Sequence, residues 1–182
     1  MKKYATRRKQ SQCASEVSHV IRRLTALFLA CLVASTHAAT HTIEGRIVGI
    51  TDGDTVTLLD NDRRQHKVRL DGIDAPEKAQ PFGNASKRHL SDLAFNRDAV
   101  AECSKTDRYG REVCRVLVGG VDVCLAQIQA GMGWHFKRYA KEQTRLHREQ
   151  YAGAEVEARA ERRGLWVDRA PVAPWEWRAG ER

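Results

Sequence analysis

Short strands with alternating apolar positions, tight turns joining the first three of them, and a helix between the third and the fourth predict an α+β fold. The arrangement expected is a five-stranded Greek-key β-barrel of the OB type with flanking α-helices. The first strand runs from Ile43 to Ile50, with Ile43, Gly45, Ile47 and Gly49 on one side. Asp52-Gly53 is a turn pair, and Val56 to Leu59 follows as the second strand. Asp60-Asn61-Asp62 turns the chain again, into a third strand from His66 to Leu70. Pro81 to Asn84 reads as a helix start, and the helix continues from Ala85 to Asn96 with Ala85, Leu90, Leu93 and Ala94 on one side. Ala99 to Cys103 and Val113 to Val118 form a hairpin with Arg108 and Tyr109 at its tip. Asp122 caps a short helix through Ile128 that Gly131 ends. A charged helix is expected from Lys141 to Arg163, with a stripe of Leu146, Ala154 and Ala158, stopped by Gly164. Pro171, Pro174, Trp175 and Trp177 belong to an extended tail packed back on the domain or partly flexible.

The N-terminal residues carry another message. Seven Lys/Arg lie in residues 1–23 against Glu16 alone; an apolar run, Leu24 to Ala34, and the small-residue stretch Ser35-Thr36-His37-Ala38-Ala39 follow. Basic, apolar and small is the order of a secretory leader, and the apolar run is too short to span a bilayer. The expected organisation is a signal peptide at 1–38 cut near 38/39, a barrel domain at 39–170 and a Pro/Trp-rich tail at 171–182. The product would be periplasmic or secreted, with an uncleaved membrane anchor as the alternative.

Removing the leader changes the charge argument. The whole chain is +8, but residues 39–182 hold 24 Lys/Arg against 22 Asp/Glu. Bulk charge therefore does not argue for a polyanionic partner, and any attraction must come from local clustering. Of the five cysteines, Cys103, Cys114 and Cys124 lie beyond the leader. In the expected hairpin Cys103 faces Cys114 and Glu102 faces Arg115, which puts the sulfurs within disulfide reach in an oxidising compartment. The other readings are two buried thiols or a partial zinc site with His66 or His135; no Cys-x-x-Cys spacing favours zinc. Cys124 is left as a small core residue.

Three segments carry chemistry. Asp52-Gly53-Asp54-Thr55 taken alone is a hairpin turn. Arg69-Leu70-Asp71-Gly72-Ile73-Asp74-Ala75-Pro76-Glu77 holds more acid beside an arginine than a turn requires. Pro76 forces Ala75 out of helical geometry, so Asp74 and Glu77 stand on one side of a bend. Asp54, Asp74 and the Ala75 carbonyl offer the oxygen ligands a hard cation needs, and Glu77 is left to take a proton from water. Asp107-Arg108-Tyr109-Gly110-Arg111 is a hairpin tip; if Arg111 returns to the acidic residues, it and Arg69 present two rigid forks suited to phosphate oxygens.

In this order the three segments resemble the thermonuclease (staphylococcal nuclease) family over roughly residues 42–167, Gly164-Leu165-Trp166 included. The resemblance implies an OB barrel with helices that cleaves DNA and RNA with little sequence preference, leaving 3′-phosphate ends. It implies one Ca2+ held by Asp54, Asp74 and the Ala75 carbonyl, Glu77 as general base, Arg69 and Arg111 on the scissile phosphate, and Asp52 behind the ligands. The family's best-known member has Thr at the position of Ala75, a change that leaves the backbone oxygen in place. Trp134-His135-Phe136-Lys137-Arg138-Tyr139 has no clear register with that member's base-stacking tyrosines. Aromatics interleaved with basic residues suit stacking on the bases of single strands, and a packing role for Trp134 and Phe136 is the competing reading. The partners expected are nucleic acids, with no stable membrane association once the leader is removed and a monomeric state. The alternative function is a barrel that binds nucleic acid or protein without cutting.

Overall fold

A computed structural model describes residues 40–180; the expected leader and the last two tail residues lie outside them. Strand β1 (His41–Ile50) pairs antiparallel with β2 (Thr55–Asp60) and, on its other edge, with β5 (Asp98–Thr106). β2 pairs with β3 (Gln65–Leu70), and β5 with β6 (Glu112–Val118). The strand order is therefore β3-β2-β1-β5-β6, and a parallel pairing of β3 with β6 closes it into a five-stranded barrel. Closure leaves no open barrel edge between β3 and β6, and the residues alternating inward fill the interior. Ile43, Ile47, Val56, Leu58, Val68, Leu70, Ala101 and Val116 are all buried there. The fold is α+β and of the OB type.

Three strands of two residues each were not foreseen: β4 (Ile73–Asp74), β7 (Val121–Asp122) and β8 (Trp134–His135). They are too short to show periodicity, and each depends on a partner. β4 pairs with β8, placing Asp74 opposite Trp134.

Helix α1 (Gly83–Ala94) begins within the expected start at Pro81–Asn84, ends two residues before the expected Asn96, and buries Ser86 rather than Ala85, with Leu90 and Ala94. The Ser86 hydroxyl makes the difference, because it donates to the Met132 carbonyl at 2.6 Å. Helix α2 (Val123–Gln129) is capped by Asp122, whose side chain accepts from the backbone of Cys124 and Leu125. Helix α3 spans Arg145–Ala160, shorter at both ends than the expected 141–163. Thr144 caps it by accepting from the His147 N–H, and Gln143 just before is turned inward to bond His135. Its buried stripe is Tyr151, Ala154, Glu155 and Ala158, while Leu146 is 61% exposed. Leu146 lies in the first turn, where Arg145 is exposed as well.

The tail also departs from expectation. Instead of running extended, it forms helix α4 (Pro174–Gly180), which Pro174 starts as its first residue. A second apolar cluster of Trp134, Ala158, Leu165, Trp166 and Ala173 supports that end of the chain. Among the described residues, no helix is long and apolar enough to cross a membrane.

The β5–β6 hairpin has the expected register at Glu102↔Arg115 and Cys103↔Cys114. The two cysteines are disulfide-bonded, with Cα atoms 4.0 Å apart. Beyond them a bulge at Ser104 shifts the pairing to Lys105↔Val113 and Thr106↔Glu112. The tip is consequently a loop from Asp107 to Arg111, not a two-residue turn on Arg108 and Tyr109. The Asp107 N–H donates to the Arg111 carbonyl across it, and Gly110 takes φ +77°.

Candidate active site

Strand pairing brings the three segments together. Thr55 lies opposite Arg69 across β2 and β3, and the barrel-closing pairing sets Val68 beside Glu112, the residue after Arg111. Thr55, Arg69 and Arg111 thus converge at one end of the barrel. β4 adds Asp74, held by β8 from the other side.

The Asp52–Thr55 turn is organised by its own carboxylate. Asp52 Oδ1 accepts from the Asp54 N–H at 3.1 Å, which aims the Asp54 side chain inward. Asp54 is 6% exposed; its Oδ2 accepts from the Ala75 N–H at 2.8 Å and its Oδ1 from the Thr55 hydroxyl at 3.0 Å. Ala75 therefore meets Asp54 through its N–H, which locks the second segment against the first.

Asp74 is 1% exposed. Arg69 bridges the two aspartates: Nη2 donates to Asp74 Oδ1 at 3.0 Å and to the Ile73 carbonyl at 3.2 Å. Its Nη1 lies against Asp54 Oδ2 as an ion pair, without the alignment of a hydrogen bond. The chain thus places two buried carboxylates on either side of one guanidinium. Burial opposes ionisation of Asp54, but the Arg69 charge and the Ala75 N–H outweigh it and hold its carboxyl below the ordinary range. At Asp52 the balance reverses: burial and the neighbouring Asp54 charge push it up to about 6, against the Asp54 N–H. Burial likewise raises Asp74, against the pull of Arg178 and Arg69.

Arg111 is clamped by Asp107. Its Nε and backbone N–H donate to the two Asp107 oxygens at 2.8 and 3.0 Å, and its Nη1 reaches the Thr55 hydroxyl at 3.4 Å. A continuous chain Asp107–Arg111–Thr55–Asp54 ties the hairpin tip to the acidic pair. Glu77 stands at the rim beyond Pro76, half-exposed. The close packing of Gly83 on the Glu77 carbonyl sets its position: a Cβ there would lie 1.9 Å from that oxygen.

Two neighbours of the cluster were not singled out by sequence. Arg178 of α4 donates to both Asp74 oxygens, at 2.7 Å to Oδ2 and 3.4 Å to Oδ1, and also bonds Glu77. Gln127 of α2 donates to the Gly53 carbonyl at 2.6 Å from beneath the turn. Neither lies in a motif, and no local pattern marks them. The aromatic segment resolves toward packing for one ring: Trp134 is buried against Trp166, with centroids 4.4 Å apart. His135 bonds Gln143, and both hairpin cysteines are in the disulfide, so the zinc reading has no ligand set left.

Buried acidic oxygens faced by arginines, at the end of a closed OB-type barrel, are groups able to hold a cation and to meet phosphate oxygens. A family model described as staphylococcal nuclease homologue matches residues 67–168. A protein described as an uncharacterized endonuclease of Haemophilus influenzae is 39% identical over 137 residues, 75% of this chain and 74% of that protein. Micrococcal nuclease of Shigella flexneri is 38% identical over 143 residues, 74% of this chain and 79% of its own length. Protein ParB of Escherichia coli is 36% identical over 174 residues, 88% and 92%. The chain belongs to the staphylococcal nuclease family, and its similarity to nucleases supports phosphodiester hydrolysis of nucleic acid. The family match includes Arg69, Asp74, Glu77 and Arg111; Asp54 and α4 lie outside it.

Proposed function

We propose that this chain is a calcium-dependent nuclease that hydrolyses DNA and RNA with little sequence preference and leaves 3′-phosphate ends. The observation that carries this reading is the meeting of Asp54, Asp74 and Arg69 in one buried cluster, with Arg111 tied to it through Thr55. The donor set fits a hard divalent ion, since Asp54 and Asp74 offer carboxylate oxygens and no sulfur or imidazole lies among them. Asp54, Asp74 and the Ala75 carbonyl would hold the ion. When bound, it would supply Lewis-acid polarisation of the phosphoryl group and offset its negative charge.

The protein groups supply the remainder. Glu77 at the rim takes a proton from the attacking water as the new phosphorus–oxygen bond forms. Arg69 and Arg111 present forked donors to the phosphoryl oxygens, whose charge grows as the bond to the 5′ oxygen breaks. Their own carboxylate partners keep both forks ordered before substrate arrives, so little reorganisation accompanies the step. The departing 5′ oxygen is protonated from solvent, and the phosphate stays on the 3′ side. We place the active protein outside the cytoplasm, as a monomer freed from residues 1–38. The basic, apolar, small order of that segment supports export. All six groups of the proposed site come from one chain, which supports a monomer.

The test is plasmid and RNA degradation by the purified protein with calcium and again with chelator. Cutting is expected with the ion alone. Glu77→Gln should lower kcat by about 10²–10⁴-fold, and Arg111→Ala by about 10²–10³-fold. Undiminished cutting in both variants would move the chemistry elsewhere, and mass analysis of the 3′ ends tests the product assignment.

A further inference from the structure

Helix α4 reaches back to the acidic cluster from the far end of the described chain. Arg178 lies 104 positions from Asp74 in sequence, yet its Nη2 is 2.7 Å from Asp74 Oδ2 and its Nη1 3.4 Å from Oδ1. The same Nη1 bonds Glu77 Oε1. Every oxygen of Asp74 is thereby engaged, Oδ1 by Arg69 and Arg178 and Oδ2 by Arg178. The Arg178 side chain is 42% exposed and ends on the buried Asp74 carboxylate.

The helix is anchored rather than loosely laid down. Trp175, one turn before Arg178, packs on Phe136 and Trp134 with centroids 5.4 and 5.6 Å away. The preceding segment is fixed where the Gln80 side-chain amide donates to the Val172 carbonyl at 2.6 Å. Trp177 turns the other way, into a small cleft with Pro76, Phe82 and Leu165.

A guanidinium with two contacts to Asp74 and one to Glu77 does two things that oppose catalysis as read above. It supplies the positive charge that the acidic cluster would otherwise take from a cation. It also covers a Glu77 oxygen that would otherwise face the attacking water. We propose that α4 is an intramolecular plug. Arg178 occupies the cation side of Asp74 and Glu77, and binding of a divalent ion and nucleic acid requires it to withdraw. This inference rests on the metal-dependent reading of the site but adds a competitor to it. A ligand that binds only the unplugged state has its affinity reduced by the fraction of molecules in that state.

The experiment uses the purified protein without nucleic acid and measures calcium binding by titration calorimetry for wild type, Arg178→Ala and Trp175→Ala. Hydrogen exchange of residues 171–180 is followed with and without calcium. Arg178→Ala should bind calcium about tenfold tighter or more, Trp175→Ala should shift in the same direction, and calcium should speed exchange in α4 of the wild type. Equal calcium affinity in wild type and Arg178→Ala, with unchanged exchange, overturns the plug and leaves the site reading standing. Weaker calcium binding in Arg178→Ala also overturns it, because Arg178 would then support the site rather than compete with the ion. Absence of calcium binding in every variant removes the calcium reading and the plug with it.

Discussion

Gln127 is polar, uncharged and fully buried, and its partners account for that position. Its amide donates to the Gly53 carbonyl at 2.6 Å and to the Ser86 carbonyl at 3.2 Å, and its oxygen pairs with His89. Gly53 sits directly above Ser86 and Ala75: a Cβ added there would lie 1.9 Å from the Ser86 hydroxyl and 2.7 Å from the Ala75 Cβ. The turn carrying Asp52 and Asp54 is therefore seated on α1 and α2 with no room to shift. Gln127→Leu leaves a buried carbonyl without its donor and should cost about 1–3 kcal/mol of stability. Gly53→Ala overpacks the same contact at a similar cost, about 1–3 kcal/mol. Both should weaken the calcium binding proposed above by displacing Asp54. Denaturant midpoints within 0.5 kcal/mol of wild type, on the scale of ordinary surface changes, would show that this seat does not support the turn. Asp-Gly-Asp is legible in sequence as a turn of acids. Its support is not, because Gln127 and Ser86 belong to helices whose docking no local pattern specifies.

At the scale of elements, α2 and α3 meet around Asp122. Asp122 caps α2, pairs with Arg115 of β6 at 2.8 Å, and accepts from the Tyr151 hydroxyl of α3 at 3.1 and 2.9 Å. Burial, followed by the nearby Cys124 and Asp122 charges, drives the Tyr151 hydroxyl far above its ordinary range. Burial also raises the Cys124 thiol well above normal, with Asp122 adding to it. Both groups hold their protons more tightly folded than unfolded. Their contribution to stability is complete below the unfolded pKa and is lost as pH rises toward the folded one. Stability should accordingly fall from about pH 8.5 for Cys124 and from about pH 10 for Tyr151, by about 1.4 kcal/mol per unit for each group. Tyr151→Phe should flatten the slope above pH 10 and leave the one that starts lower. An unchanged slope in that variant would mean that another group governs alkaline unfolding. Asp122 as a cap was readable from its place before an apolar run. Tyr151 as the buried centre of α3 was not, because Leu146 offered a more apolar stripe that the tertiary packing leaves in water.

For the whole molecule, closure and cross-linking decide the behaviour. The disulfide joins β5 and β6 at Cys103 and Cys114, and Cys124 is the free cysteine of the described residues, buried in the main core. A protein cut at 38/39 should show no reactive thiol when native and one after denaturation without reductant. Three thiols after denaturation would mean that the bridge is absent. The hairpin register that pairs these cysteines follows from short-range counting and was readable. The bulge at Ser104, one residue further on, was not, although it shapes the loop from which Arg111 reaches Thr55.

The sequence by itself determined the chemical inventory and its local grammar: strand alternation, the Asp-Gly turns, the Asp122 cap, and acids and arginines in an order similar to one nuclease family. These features depend on periods of two or 3.6 residues and on turns a few residues long. The tertiary structure alone decided that β3 closes on β6, that Gln127 props the Gly53 turn, and that Arg178 lies on Asp74 and Glu77. Each of these joins groups far apart along the chain, through register and docking. Such contacts form when many buried surfaces fit at once, so no local stretch of residues encodes them.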